Sequence, residues 1–103
     1  MNLNEIRKKI DVIDDQLIEL LRKRLDAVAE ITVCKTEHDL PIDDGQRERT
    51  IRCRAAERLG ETYAPYGEEF FTQLFTISRA YQRQCREKAQ PVRVQQKENE
   101  ELP

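Results

Sequence analysis

The chain has 103 residues, of which 38% are hydrophobic and 37% are charged, so it forms at most one domain with a modest core of its own. A formal net charge of −2 gives no reason to expect a nucleic acid or an anionic membrane as partner. No apolar run approaches the length of a membrane span, and the N-terminus lacks the basic-then-apolar pattern of a secretory signal. We therefore expect a cytoplasmic protein.

The strongest pattern predicts a long amphipathic first helix from Leu3 to about Glu37. Its apolar residues recur at steps of three and four, and neither Gly nor Pro interrupts it. About thirty-five helical residues span roughly 50 Å, whereas a compact domain of about 100 residues has a radius of gyration of only about 13 Å. One copy cannot cover this helix, so we expect a partner subunit to complete the core. The apolar series is Leu3, Ile6, Ile10, Ile13, Leu17, Leu20, Ala27 and Ile31, with Arg24 among them.

The link after this helix predicts a tight turn and a second helix. Pro41 disfavours helix at the residue before it. Asp43 and Asp44 are both suitable N-cap residues, and Gln46, three residues after Asp43, offers a capping box. The second helix should end at Gly60, a residue type that is common at helix ends. Its apolar stripe is Ile51, Ala55 and Leu59.

A third helix is predicted from near Pro65 or Glu68 to about Lys88, which gives an all-α chain of three helices. Residues 90–103 are polar and charged and are predicted to form a disordered tail. The helical domain then covers residues 1–89. The expected inner face of the third helix is Phe70, Leu74, Ile77, Tyr81 and Cys85.

The spacing of the cysteines and the position of the single histidine indicate that these residues have structural roles. Cys34, Cys53 and Cys85 are odd in number and widely spaced, which fits neither a disulfide framework nor a zinc site. His38 lies where the first helix should end, a place where an imidazole can cap carbonyl groups. We therefore expect free thiols, a capping histidine and no metal.

Charged residues stand where the helices should be apolar. Arg24 lies in the apolar series of the first helix, and Lys35 follows it by eleven residues, about three turns, on the same side. On the second helix, Arg47 and Glu48 border the narrow apolar stripe. On the third helix, one ridge begins with two aromatic residues and continues with two polar ones: Phe71, Phe75, Ser78 and Gln82. All three helices are therefore predicted to carry polar groups toward the interior.

Each of these polar residues, taken alone, fits a purely structural role such as snorkelling, an ion pair or a bond to the backbone. Taken together, two or three inward-facing cations without an anion are costly to bury. An anionic ligand would remove that cost.

Arg7 adds a constraint on how the chain assembles. It precedes Arg24 by seventeen residues, roughly 25 Å along the helix, so the two cannot easily hold one small ligand from the same chain. An antiparallel partner helix would bring Arg7 of one subunit to Arg24 and Lys35 of the other. We expect a homodimer with two equivalent sites.

The order and spacing of these residues form a recognisable pattern over about Leu3 to Arg83. It resembles the all-helical class of chorismate mutase. The resemblance implies an intertwined homodimer that converts chorismate to prephenate, a step of aromatic amino-acid biosynthesis, by a 3,3-sigmatropic (Claisen) rearrangement without a cofactor. The matching stretches are Ile6-Arg7-Lys8-Lys9-Ile10-Asp11-Val12-Ile13-Asp14, Leu20-Leu21, Arg24, Lys35, Leu40-Pro41-Ile42, Asp44, Arg47-Glu48-Arg49, Ser78 and Gln82.

The resemblance implies that two arginines bind the two carboxylates of chorismate. They correspond to Arg24 and, from the other subunit, Arg7, with support from Arg47 and Ser78.

Lys35 and Gln82 match the groups that donate to the ether oxygen of the substrate. Glu48, with the backbone near Asp44, matches the contact to the ring hydroxyl. A pericyclic reaction transfers no proton and needs no nucleophile, so the lack of a catalytic motif in the sequence is compatible with this activity.

Three other functions remain open from the sequence. An isochorismate pyruvate lyase would share the fold and the cations, although Glu48 beside Arg47 favours the mutase. A helical dimer that binds an aromatic-pathway acid without converting it is a second alternative. A purely structural coiled coil is the third, but it leaves Arg24 on the apolar face without a partner.

Overall fold

The computed structural model describes the backbone of residues 1–101 and the side chains of residues 1–88. Three helices follow one another along the chain: α1 (Leu3–Glu37), α2 (Gly45–Leu59) and α3 (Ala64–Glu101). The described backbone contains no strand, so the predicted all-α architecture of three helices is confirmed. Helix α3 packs against both α1 and α2. The radius of gyration is 19.3 Å, against about 13 Å for a compact domain of this length, so the single chain is elongated.

Helix α1 has the predicted bounds because side chains satisfy its free backbone groups at both ends. At its start, Asn2 and Glu5 form a capping box, in which the Glu5 amide donates to Asn2 Oδ1 at 2.9 Å. At its end, the amide of His38 donates to the Cys34 carbonyl, and His38 Nδ1 lies 2.8 Å from the same oxygen. The predicted capping role of His38 is confirmed, and the three cysteines are free thiols, as expected.

Most of the apolar face of α1 is uncovered in the single chain. Only Val28 and Thr32 of this helix are buried, and both lie in its C-terminal third. The apolar residues of the N-terminal half are 40% to 61% exposed: Leu3, Ile6, Ile10, Ile13, Leu17 and Leu20. The expectation that one copy cannot cover α1 is confirmed, whereas the homodimer stays a prediction.

Helix α2 begins at Gly45, directly after one of the two predicted cap residues. Asp44 is the N-cap, and its Oδ1 accepts a hydrogen bond from the Arg47 amide at 3.1 Å. The capping box expected from Asp43 and Gln46 is wrong, because a cap at Asp44 makes Arg47 the third helical residue. Gly60 ends the helix, as predicted, with a φ of 82° and a ψ of 172°.

Helix α3 is rotated relative to the prediction. Three of its buried side chains lie on the ridge that turns polar, because both α1 and α2 pack on that side: Phe75, Ser78 and Gln82. Of the predicted inner face, Leu74 is buried, Tyr81 and Cys85 are half-buried, and Phe70 and Ile77 are more than half exposed.

The sequence placed the end of α3 near Lys88, but the helix extends to Glu101. Side chains beyond Lys88 and residues 102–103 lie outside the described part of the chain, so disorder of the tail over residues 90–103 stays a prediction. None of the described helices is long and apolar enough to cross a membrane.

Candidate functional site

A cavity of about 310 Å³ lies between α1, α2 and α3. Seven of the eight predicted site residues line it, although they come from all three helices and the link between the first two. They are Arg24, Lys35, Asp44, Arg47, Glu48, Ser78 and Gln82.

Arg24 enters the cavity half-buried from α1. Its Nη1 donates to Ser78 Oγ at 2.5 Å, and its guanidinium carbon lies 5.7 Å from the centre of the Phe75 ring. Burial lowers the pKa of Arg24 from its ordinary value, because desolvation disfavours the charged form. An arginine nevertheless stays protonated in proteins. Helix α1 therefore delivers a fixed, partly desolvated cation.

Lys35 lies three turns further along α1 and is fixed by the link to α2. Its Nζ donates to the Ile42 carbonyl at 2.9 Å, and both residues line the cavity. An ammonium group carries three protons, so this bond leaves Lys35 able to donate to a ligand as well.

Gln82 is 8% exposed and lines the same cavity from α3. Its Oε1 is buried without a hydrogen-bond partner among the described residues. Unsatisfied buried polar atoms are rare in folded proteins, and one on a cavity wall is suited to contact a polar ligand.

The start of α2 supplies both carboxylates of the site. Asp44 caps the helix, as described above, while the side chain of Arg47 is exposed at the cavity edge. Glu48 is 19% exposed and is paired with Arg79, whose Nη1 lies 2.6 Å from each carboxylate oxygen. Arg52 Nη1 lies 3.9 Å from Oε1 of Glu48.

Sequence reasoning missed Arg79 and the buried contact of Phe75 with Arg24. Arg79 lies four residues after Phe75 and three before Gln82, so it borders the ridge that turns polar, and helical spacing was a usable signal. Its pairing with Glu48 joins residues 31 positions apart, and no local pattern indicates it.

Arg7 is the predicted site residue that the single chain does not bring to the cavity. It is exposed near the start of α1, away from the lining residues. A role in the site therefore requires another copy of the chain.

The charge balance of the cavity favours an anion. Its lining includes two carboxylates and four cations, an excess of two positive charges: Asp44, Glu48, Arg24, Lys35, Arg47 and Arg79. Within the described side chains, Arg24, Lys35 and Arg47 form no ion pair. The described residues also contain no cluster of His, Cys, Asp or Glu that is suited to a metal ion. The fold and cavity define an all-helical protein whose interhelical cavity carries a net positive charge.

Comparison with known proteins identifies the family. The family described as chorismate mutase type II matches residues 6–83, and the chain belongs to this family, which confirms the resemblance inferred from the sequence.

Individual relatives agree with this membership. The chorismate mutase of Methanocaldococcus jannaschii is 32% identical over 90 residues, which are 85% of this chain and 91% of that protein. T-proteins of Enterobacter agglomerans and Haemophilus influenzae are 41% identical over 61 and 57 residues. These segments are 56% and 55% of this chain but only 16% and 15% of the T-proteins. No solved structure matches the chain significantly.

Proposed function

We propose that the protein is a chorismate mutase, an isomerase that converts chorismate to prephenate in aromatic amino-acid biosynthesis. Membership of the family supports this reaction. The net charge of the cavity supports placing the reaction at this site. The cavity of the single chain has an excess of two positive charges, which is opposite in sign to the charge of the two substrate carboxylates. A dianion would thus compensate the cost of desolvating these cations.

In the proposed complex, arginines orient the substrate through its carboxylates. Arg24 binds one of them, supported by Ser78, which already fixes the guanidinium at 2.5 Å. Arg47 supports the binding from the edge of the cavity, and Arg7 of the partner subunit binds the other carboxylate. Charge-assisted hydrogen bonds of this kind are strong and directional. They hold the flexible enolpyruvyl arm over the ring, which lowers the entropic part of the barrier.

Lys35 and Gln82 are the proposed catalytic residues. The carbon–oxygen bond that breaks leaves partial negative charge on the ether oxygen, and fixed donors stabilise that charge in the transition state. Lys35 supplies an ammonium that the Ile42 carbonyl holds in place. Gln82 supplies an amide that is buried in the cavity wall. The rearrangement moves electrons within the substrate, so neither residue transfers a proton and no cofactor takes part.

Glu48 and the backbone near Asp44 are proposed to bind the ring hydroxyl. A carboxylate accepts hydrogen bonds only, so Glu48 selects a substrate that places a hydroxyl donor at that end of the cavity. This choice distinguishes chorismate from isochorismate, whose hydroxyl lies at another ring position.

We further propose that the enzyme is an intertwined homodimer. The apolar half of α1 that is 40% to 61% exposed needs a cover of matching length, and a second antiparallel α1 provides it. The same arrangement supplies Arg7 in trans to each cavity. Free thiols suit a reducing compartment, and the cytoplasm is the location that we propose.

A spectrophotometric assay of chorismate consumption with identification of the product tests this function. Formation of prephenate is expected, and Lys35→Ala should abolish it. Turnover of isochorismate to pyruvate in place of this reaction would make the protein a lyase. Binding of chorismate without turnover would make it a binding protein.

A further inference from the structure

Glu48 and Arg79 form an ion pair across the wall of the cavity. Arg79 Nη1 lies 2.6 Å from both carboxylate oxygens of Glu48. The Arg79 side chain is 26% exposed and the Glu48 side chain is 19% exposed. The pair joins α3 to α2, so the orientation of the Glu48 carboxylate depends on a side chain of another helix. Arg52 approaches Glu48 from α2 only at 3.9 Å, which is too long for a hydrogen bond.

Arg79 is itself fixed by its own helix. Its Nη2 donates to Thr76 Oγ1 at 3.3 Å, and Thr76 Oγ1 donates to the Thr72 carbonyl at 3.2 Å. The guanidinium is therefore anchored on α3 independently of Glu48. Helix α3 therefore fixes Arg79, and Arg79 in turn fixes the Glu48 carboxylate.

An unpaired carboxylate would harm this cavity in two ways. It would repel a dianionic ligand, because like charges a few ångströms apart interact strongly in a partly desolvated site. It would also be free to pair with Arg24 or Lys35, which line the same cavity and have no ion-pair partner among the described side chains. Either effect would weaken binding of the ligand.

We propose that Arg79 is a positioning residue for Glu48. It neutralises the carboxylate and holds it toward the substrate hydroxyl, which keeps Arg24 and Lys35 available to the substrate. This inference rests on the proposed function and adds to it a residue that acts through Glu48 and does not contact the substrate. Since the hydroxyl contact exists both before and during the reaction, loss of Arg79 should affect KM more than kcat.

A double-mutant cycle between Arg79→Gln and Glu48→Gln tests the inference. In the wild-type background, Arg79→Gln should raise KM by about tenfold or more, the value of a hydrogen bond to a charged group, with a smaller change in kcat. In the Glu48→Gln background, the same change should alter KM by less than about twofold, because the partner charge is gone. Equal effects in both backgrounds would mean that Arg79 contacts the substrate itself, and no effect in either would remove its role.

Two further measurements keep the test decisive. Calorimetric binding of prephenate gives the same cycle without turnover. Arg79→Lys keeps the charge and should retain part of the wild-type affinity, and it takes the place of Arg79→Gln in the cycle if that variant does not fold. Arg83→Gln is the matched control, since Arg83 lies one turn further along α3 and, among the side chains of residues 1–88, pairs only with the exposed Asp43 at 3.4 Å. Its KM should be unchanged. If the wild-type protein leaves chorismate unconverted, the proposed function fails. If the wild type is active and the cycle is additive, only this inference fails.

Discussion

The hydrogen bond from Arg24 Nη1 to Ser78 Oγ, at 2.5 Å, joins α1 to α3, and both residues line the cavity. Ser78 Oγ donates its own proton to the Leu74 carbonyl at 2.9 Å, so it is oriented to accept from Arg24. A neutral hydroxyl thus fixes the guanidinium without cancelling its charge. The cation remains available to an anion, which would compensate the cost of desolvating it.

The first prediction is that Arg24→Met separates stability from function. Removing a partly desolvated cation and keeping the side-chain volume should leave the free energy of unfolding unchanged or raise it by about 1 kcal/mol or more. Activity should be lost, because one substrate carboxylate loses its partner. Denaturant unfolding at fixed protein concentration, together with the chorismate assay, measures both effects.

Arg22→Met is the control for this prediction. Arg22 is 61% exposed and, within the described part of the chain, pairs only with Glu19 and Asp26 on its own helix. Its loss should therefore change the free energy of unfolding by less than about 1 kcal/mol and leave activity intact. A clear loss of stability in Arg24→Met would show that its bonds to Ser78 and Phe75 outweigh the desolvation cost.

The second prediction concerns the turn that ends α2. Gly60 has a φ of 82° and a ψ of 172°, a conformation that is essentially restricted to glycine. Gly60→Ala should therefore lower the free energy of unfolding by about 1 to 3 kcal/mol, as measured by urea denaturation. Gly45→Ala is the control. Its new Cβ would meet only the mobile end of Arg49, and it should not destabilise the protein.

Local signals explain which parts of the fold were predictable. Helix α1 follows from apolar periodicity without a helix breaker, and His38 follows from its position at the helix end. The start of α2 was less well determined, because two adjacent aspartates suit a cap and only the three-dimensional structure selects Asp44 over Asp43.

The face of α3 shows what sequence alone does not settle. Two ridges of this helix carry aromatic residues, one beginning at Phe70 and the other at Phe71, and the choice between them depends on where α1 and α2 pack. The same limit applies to Glu48 and Arg79, whose pairing across 31 positions exists only after α2 and α3 meet. Arg24 was predictable because its charge interrupts an apolar series, and Lys35 because it lies about three turns further on the same side of α1.

The third prediction tests the dimer through complementation. Arg7→Ala and Lys35→Ala homodimers should both be nearly inactive. A mixed dimer of the two should regain one intact site, made of Lys35 and Arg24 of one subunit and Arg7 of the other, and should show about half the wild-type activity per dimer. Differently tagged subunits allow the mixed dimer to be purified before the assay.

A pair of variants from the same site serves as the control for complementation. Mixed dimers of Lys35→Ala with Gln82→Ala should stay inactive, because each subunit then carries a defect in its own cavity. Light scattering that finds a well-folded monomer at micromolar concentration would contradict the dimer itself. Verified mixed dimers of Arg7→Ala and Lys35→Ala without recovery would place the action of Arg7 within its own chain.

The final prediction concerns pH and rests on the chemistry of Gln82. A neutral amide donates a hydrogen bond at any pH, so kcat of the wild type should be nearly flat from about pH 6 to pH 8. In Gln82→Glu, the carboxyl group donates only while it is protonated, and its ionised form repels the negative charge that develops on the ether oxygen. Its reference pKa of about 4.3 rises with burial, so the activity of the variant should increase as the pH falls. At pH 8 the loss should be on the order of 100-fold or more, the usual cost of a missing donor to developing negative charge.

Gln84→Glu is the control for the pH prediction. It lies at an exposed position of the same helix and should keep the flat profile. Full activity of Gln82→Glu at pH 8 with an unchanged profile would place Gln82 away from the ether oxygen.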